Sequence, residues 1–237
     1  MKKTSLDILN EIAKNSLYAK VANSETVKYS FQVFKNYISS GPILELGPAE
    51  GVMTELINAV TADLTIVDGS LLFCEKLKEK YPQANIINSL FEDFCIEKKF
   101  QTIILGHVLE HVDDPVAMLK HISQFLLEDG VILAAVPNAN SIHRQAAVLM
   151  GILSTIKEFS ELDIHHGHQR VYTIEEFESD FMMAGLNVKK LGGYWLKPIS
   201  NAQIENSWTP EMLSAFMILG EKYPEIAAEI YIVAEKK

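Results

Sequence analysis

The segment Ile43-Leu44-Glu45-Leu46-Gly47-Pro48-Ala49-Glu50-Gly51 constrains the fold of this chain more than any other. Its aliphatic residues read as a buried strand that carries an acid near its end. A turn of small residues then leads into apolar positions at helical spacing, Val52, Met53, Leu56, Ile57 and Val60. A strand that passes into a helix through such a turn brings main-chain N–H groups and a helix N-terminus to one point, a geometry that receives a nucleoside. Leu64-Thr65-Ile66-Val67 predicts a second strand, ending on Asp68. A carboxylate there can accept hydrogen bonds from both ribose hydroxyls. The two features together point to a nucleoside cofactor.

From Gly41-Pro42 onward, strand and helix patterns alternate. Strands are predicted over 43–47, 64–68, 85–88, 101–106 and 131–136, and helices over 51–60 and 70–80. A further helix opens with Asp114 as cap and Pro115 in its first turn. Leu119, Ile122 and Leu126 mark its buried face, and Gly130 is the expected stop. This alternation predicts an α/β domain with a mostly parallel sheet covered on both faces. Ligands of such sheets sit at the carboxyl ends of the strands, so Glu45, Asp68, His107 and Asn138 should share one rim.

Residues 1–40 read as an N-terminal helical extension, with Leu6, Leu9, Ile12, Ala13, Val27, Phe31, Phe34 and Ile38 as its apolar positions, and 41–237 as the main domain. Within that domain the stretch 138–170 is too long for an ordinary connection. Its amphipathic part (Ala147, Met150, Ile152, Leu153, Ile156) predicts short helices laid over the rim as a cap. Thr173 and Glu176 form a capping box for the next helix, and strands are expected over Asn187–Leu191 and Glu229–Ala234.

A net charge of −10 and only two arginines argue against nucleic acid as a partner, because phosphate binding draws on clustered cations. No apolar run reaches bilayer length, and no basic-then-apolar leader opens the sequence. Cys74 and Cys95 have neither disulfide-framework nor metal spacing, so the chain is expected in the cytoplasm, apart from membranes. A homodimer is left open as its assembly.

The motifs resemble those of class I S-adenosylmethionine-dependent methyltransferases, in the broad branch that modifies small molecules. Glu45 to Gly51 is similar to the family's acidic-x-Gly-x-Gly-x-Gly loop, with Ala49 in place of the middle glycine. Gly106-His107-Val108-Leu109-Glu110-His111 resembles the stretch after the fourth strand. The resemblance implies a Rossmann-like seven-stranded sheet ending in an antiparallel hairpin, S-adenosylmethionine as cofactor, S-adenosylhomocysteine as product, and a small-molecule methyl acceptor. It places Glu45, Gly47, Pro48, Ala49, Gly51, Asp68, Gly69, Ser70, Leu90, Phe91, Glu92 and His107 around the cofactor, with Glu45 near the methionine amino group. A sulfonium methyl is already activated, so the protein's task is to align an oxygen or nitrogen nucleophile for in-line displacement.

Candidates for a general base are His143, His165, His166 and His168, since imidazole titrates near neutrality. Arg144 and Arg170 flank the cap and are candidates for holding an anionic substrate group, with ordinary ion pairing as the competing role. Tyr18, Tyr194 and Trp195 are candidates for lining the acceptor pocket, with packing as the alternative. His107 and His111 lie four apart, but no metal is expected, because the H-E-x-x-H arrangement is absent. Two rival readings remain at this point: a nicotinamide-dependent oxidoreductase on a related sheet, and a non-catalytic module that binds the same cofactor. The spacing Gly47-x-Ala49-x-Gly51 fits the nicotinamide fingerprint poorly.

Overall fold

The computed structural model describes residues 21–237. The expected apolar positions Leu6 to Ala13, and Tyr18, lie outside the described residues. Helix α1 (Val21–Phe34) precedes β1 (Ile43–Leu46), α2 (Val52–Asn58), β2 (Leu64–Asp68), α3 (Leu71–Lys80), β3 (Asn85–Asn88) and β4 (Phe100–Gly106). Then follow α4 (Pro115–Ser123), β5 (Leu126–Pro137), α5 (Ile142–Leu149), α6 (Glu161–His166), α7 (Ile174–Met183) and β6 (Leu186–Tyr194). Helices α8 (Asn201–Ser207) and α9 (Pro210–Lys222) and the last strand β7 (Glu229–Lys236) complete the order.

The seven strands form one sheet in the order β3-β2-β1-β4-β5-β7-β6. The first five are parallel, and β7 runs antiparallel to both β5 and β6. The expected antiparallel C-terminal pair is present, although α8 and α9 join its strands in place of a tight turn. Strand order reverses between β1 and β4, which opens a crevice at their carboxyl ends.

Because successive strand residues point to opposite faces, each strand feeds two cores. Leu44, Leu46, Ile103 and Leu105 pack with Met118, Leu119 and Ile122 of α4 and with Phe177 and Phe181 of α7. Ile43, Ile66 and Ile104 pack on the other face, with Phe34 of α1, Met53 and Ile57 of α2 and Leu77 of α3. The rings of Phe177 and Phe181 meet edge-to-face at 5.4 Å, and truncating either to Ala should cost about 3–5 kcal/mol.

One boundary differs from expectation. Asp114 caps α4 as predicted, its side chain accepting from the Ala117 N–H at 2.9 Å, but the helix ends at Ser123 and Gly130 lies inside β5. Phe125 leaves the helix to pack against Phe94 at 5.1 Å between ring centroids, and its carbonyl accepts from Phe100 N–H at 2.8 Å. Leu126 is therefore buried as the first residue of a strand, and apolar spacing alone does not distinguish that position from another helical turn.

Candidate active site

The tips of β1 and β2 are joined through backbone atoms. Gly47, Ala49 and Gly51 adopt positive φ of 65°, 49° and 80°, so the chain turns sharply between β1 and α2. A Cβ at Gly47 would stand 2.9 Å from Val108 Cγ2 and 3.4 Å from Phe91 Cζ; only glycine lets the loop pass between those side chains. Asp68 is 7% exposed; its Oδ1 accepts from the Ser70 N–H at 2.7 Å, and its carboxylate also takes a hydrogen bond from the backbone of Ala49. Burial nevertheless pushes its pKa up to about 6. Glu45 is buried with Thr54 Oγ1 donating to its Oε2 at 2.7 Å, and burial raises its pKa to about 8 despite that bond. Gly69 and Ser70 are buried beside Asp68, Leu90 and Phe91 are half-buried in and beside the turn after β3, and Glu92 points to the outside.

The tips of β4, β6 and β7 carry a second set of polar groups. His107 follows β4 at φ 59°; its Nδ1 lies 3.6 Å from Glu110 Oε1 and 3.8 Å from Glu229 Oε2. Its Nε2 is 3.4 Å from the Tyr194 hydroxyl, which in turn shares a 2.6 Å hydrogen bond with Ser30 of α1. Burial disfavours a proton on His107, but the two carboxylates outweigh it and raise the pKa. Lys197 lies 4.9 Å from the centre of the Trp195 ring, and burial pushes its pKa down to about 8. Trp195 has φ 64°, so the described non-glycine residues at positive φ all lie at this rim: His107 and Trp195 directly follow β4 and β6, and Ala49 lies in the turn after β1. Such backbone strain costs about 1–2 kcal/mol per residue and concentrates where a site is held in shape.

Several buried atoms here have no hydrogen-bond partner among the described residues: Glu50 Oε2 near Asp68, and Ser141 Oγ and His143 Nδ1 at the start of α5, Trp195 Nε1 after β6 and Glu229 Oε2 at the start of β7. Buried polar groups without partners are costly, so their gathering at one rim points to bound ligands that complete them. The two polar groupings flank the β1/β4 crevice. The family model described as a methyltransferase domain matches residues 22–191.

The chain belongs to the methyltransferase domain family. A curated relative, the ubiquinone biosynthesis O-methyltransferase of Actinobacillus pleuropneumoniae, is 23% identical over 169 residues, covering 67% of this chain and 70% of that protein. Among solved structures, a S-adenosylmethionine-dependent methyltransferase from Thermotoga maritima superposes with a TM-score of 0.68 at 16% identity, covering 97% of this chain and 100% of that one. The N-methyltransferase NodS from Bradyrhizobium japonicum, solved with S-adenosylhomocysteine, gives 0.61 at 11% identity, with 99% of both chains covered. At these identities the structural likeness establishes the fold.

In this methyltransferase the four candidate histidines separate into two places. His143 lies in the first turn of α5, where burial, then Lys197 and Arg144, push its pKa down to about 2. His165, His166 and His168 gather at the end of α6, beside His111. His165 is exposed, burial lowers the pKa of His166 to about 4, and His168 Nδ1 lies 3.1 Å from Asp163 Oδ1. Both arginines are engaged with the scaffold. Arg144 donates from Nε to the Ile156 carbonyl at 2.8 Å, from Nη1 to Asp163 Oδ2 at 2.9 Å and from Nη2 to the Glu158 carbonyl. Arg170 donates to the carbonyls of Leu109 and Asp113 at 2.8 and 2.9 Å and to that of Val112. These contacts match the competing role of internal pairing, and they stitch the 138–170 segment to itself and to the turn after β4. Asn138 stands at the rim, but its amide bonds the carbonyls of Glu225 and Ala227 at 3.1 and 2.9 Å and accepts from Asn140 N–H at 2.9 Å, which makes it a scaffold residue.

Glu50, Glu110, Lys197 and Glu229 were absent from the candidates drawn from sequence. Two of them carried a signal: Glu110 directly follows the apolar pair Val108-Leu109, and Glu229 opens the otherwise apolar Ile230-Tyr231-Ile232-Val233. Nothing local marks Lys197, which gains its place from the fold of β6 against α9.

Proposed function

We propose that this methyltransferase binds S-adenosylmethionine between the tips of β1 and β2 and transfers its methyl group to an oxygen or nitrogen of a small-molecule metabolite. The observation that carries the reading is the Asp68 carboxylate, buried and hydrogen-bonded to the backbone of both Ala49 and Ser70. That arrangement is a ready-made acceptor for ribose hydroxyls inside a loop that already has the required turn. The donor set fits the cofactor: Asp68 and the unpartnered Glu50 toward the sugar, Glu45 toward the methionine amino group, and Leu90 and Phe91 beside the adenine. When bound, the cofactor supplies an activated methyl on a positively charged sulfur.

The protein's own contribution is to orient the acceptor and exclude water. Helices α5 and α6 cap the rim in this reading, and the acceptor lies under them near Glu229, Lys197, Trp195 and His143. Among these, Glu229 Oε2, Trp195 Nε1 and His143 Nδ1 have no hydrogen-bond partner among the described residues, which favours a polar acceptor. Oxygen is favoured over nitrogen, since the curated relative is an O-methyltransferase. His143, His165, His166 and His168 remain the candidates for proton removal, and the position of His107 between the two halves adds it to them. The reading takes the chain to act in the cytoplasm. Among the described residues no helix is long and apolar enough to cross a membrane.

Thermal unfolding with S-adenosylhomocysteine and with NAD(P) provides the test. The expected outcome is a rise in Tm with the former alone; protection by NAD(P) alone would favour an oxidoreductase. S-adenosylhomocysteine formation with an acceptor from a metabolite panel would separate catalysis from mere cofactor binding. Replacing the histidines singly should lower kcat by about 10²-fold at one position if a general base operates, and uniformly normal rates would leave orientation as the mechanism.

A further inference from the structure

We infer that Glu110, His111 and His168 form a binding site for one divalent transition-metal ion of the zinc class. The two segments come from different parts of the chain, the turn after β4 and the loop after α6. The fold brings one ligand atom from each of the three residues within 4.8 Å of the others. Donor atoms about 2 Å from a zinc ion stand roughly 3.5 Å apart, so small side-chain rotations close the set.

The outer contacts are those of a built site. Glu110 is 1% exposed, and its Oε2 has no hydrogen-bond partner among the described residues, although Oε1 faces His107 at 3.6 Å. A carboxylate oxygen so buried needs a cation or donor. His111 hydrogen-bonds the backbone of Gly167, which fixes the orientation of its ring. His168 and His111 stand edge-to-face, with ring centroids 4.8 Å apart.

Asp163 lies 3.1 Å from His168 Nδ1, and its own Oδ2 is fixed by Arg144 at 2.9 Å and by the Ser160 backbone at 2.7 Å. Asp163 is thus a positioning residue for His168, and a carbonyl and a carboxylate each orient one imidazole, the usual outer arrangement for metal-binding histidines. The two segments are also tied directly: Gln169 N–H donates to the Glu110 carbonyl at 2.7 Å, and Arg170 donates to the carbonyls of Leu109 and Asp113. His107 and His111 lie four apart in sequence, but His107 is not in the ligand set, because it faces Glu110 and Glu229.

Two imidazoles and one carboxylate suit zinc and its neighbours over magnesium or calcium, and three protein ligands leave a coordination position open. Binding itself is independent of the methyl-transfer reading. Use of the open position to polarise an acceptor hydroxyl rests on that reading.

The test uses the whole chain without cofactor or acceptor. Wild-type protein dialysed against Zn2+ should retain about one ion per chain by elemental analysis. Added Co2+ should give the visible absorption of a low-coordinate nitrogen–oxygen site, and Zn2+ should raise Tm, an effect EDTA reverses. Glu110→Gln and His168→Ala should each weaken Zn2+ binding by more than about tenfold, and Asp163→Asn by about 10–100-fold, while His165→Ala binds as wild type. Wild type that retains no zinc and gives no cobalt band, or Glu110→Gln and His168→Ala variants that bind like wild type, would overturn the assignment. Should either variant fail to fold, the wild-type zinc content and cobalt spectrum decide. Tm protection by S-adenosylhomocysteine, measured separately, reports on the methyl-transfer reading alone.

Discussion

The half of the rim formed by β1 and β2 is assembled within residues 45–70 and held largely by backbone hydrogen bonds, whereas the half formed by β4, β6 and β7 gathers side chains from Ser30, His107, Glu110, Tyr194, Lys197 and Glu229. A local loop tolerates change elsewhere in the domain, because its shape depends on its own φ values. A site built from distant side chains depends on every element that seats them. In the proposed reading the first half receives the cofactor and the second faces the acceptor.

The largest expected effect separates the halves. Gly220 of α9 lies against β6 so closely that a Cβ there would be 2.1 Å from Trp195 N and 2.3 Å from the Tyr194 carbonyl carbon. Gly220→Ala should therefore push α9 off the end of β6 and cost about 3 kcal/mol by chemical denaturation. Where the variant still folds, its affinity for S-adenosylhomocysteine should stay within about twofold of wild type, because the other half is untouched. An equal loss of cofactor affinity would show that the halves are one mechanical unit.

Asp68→Ala addresses the other half. It removes the bond to Ser70 N–H and, in the proposed reading, an acceptor for ribose, so calorimetry should show cofactor binding weakened by about 2 kcal/mol. Unchanged affinity would take the sugar away from β2.

A smaller effect concerns protons. Glu45 has a folded pKa of about 8, above its ordinary value, so the folded chain holds that proton where the unfolded chain has lost it. Its contribution to stability is thus complete below about pH 4.5 and is lost as pH rises through about 8. A bound ammonium group draws Glu45 into the ionised form and releases the proton. Affinity for S-adenosylhomocysteine should then rise about tenfold from pH 6 to pH 8, with proton release measurable in buffers of different ionisation enthalpy. Glu45→Gln should flatten that slope; an unchanged slope would place the amino group elsewhere.

The smallest expected effect is a gain. Ala49 carries a φ of 49°, a region glycine enters without a Cβ penalty. Ala49→Gly should stabilise the domain by up to about 1 kcal/mol after the entropy that glycine adds to the unfolded chain, seen as a rise in Tm. A loss of stability would mean that the Ala49 methyl contributes packing that outweighs the strain.

Much of this was legible in residue order because its causes are local. The aliphatic run at Ile43–Leu46, the small residues that follow it and the acid ending Leu64–Asp68 each specify backbone shape within a few residues, and their alternation with amphipathic stretches implies a parallel sheet. The stop of α4 was not legible, since Leu126 keeps helical spacing while Phe125 is pulled against Phe94 by a contact thirty-one positions away in sequence. The arginines show the same limit. Their residue type suits anions, and only the fold reveals that their donors are occupied by Asp163 and by carbonyls of the cap and the turn after β4.

By itself, then, the order of residues determined the α/β sheet, the nucleoside-type turn and the acids at the ends of the first two strands, because hydrophobic periodicity and backbone preference act over short separations. Only tertiary structure decided that His107 meets Glu229, that Tyr194 meets Ser30 and that Glu110 and His111 meet His168. Burial and charge pairing between distant side chains arise when the sheet closes and its edges are covered, and no spacing along the chain encodes them.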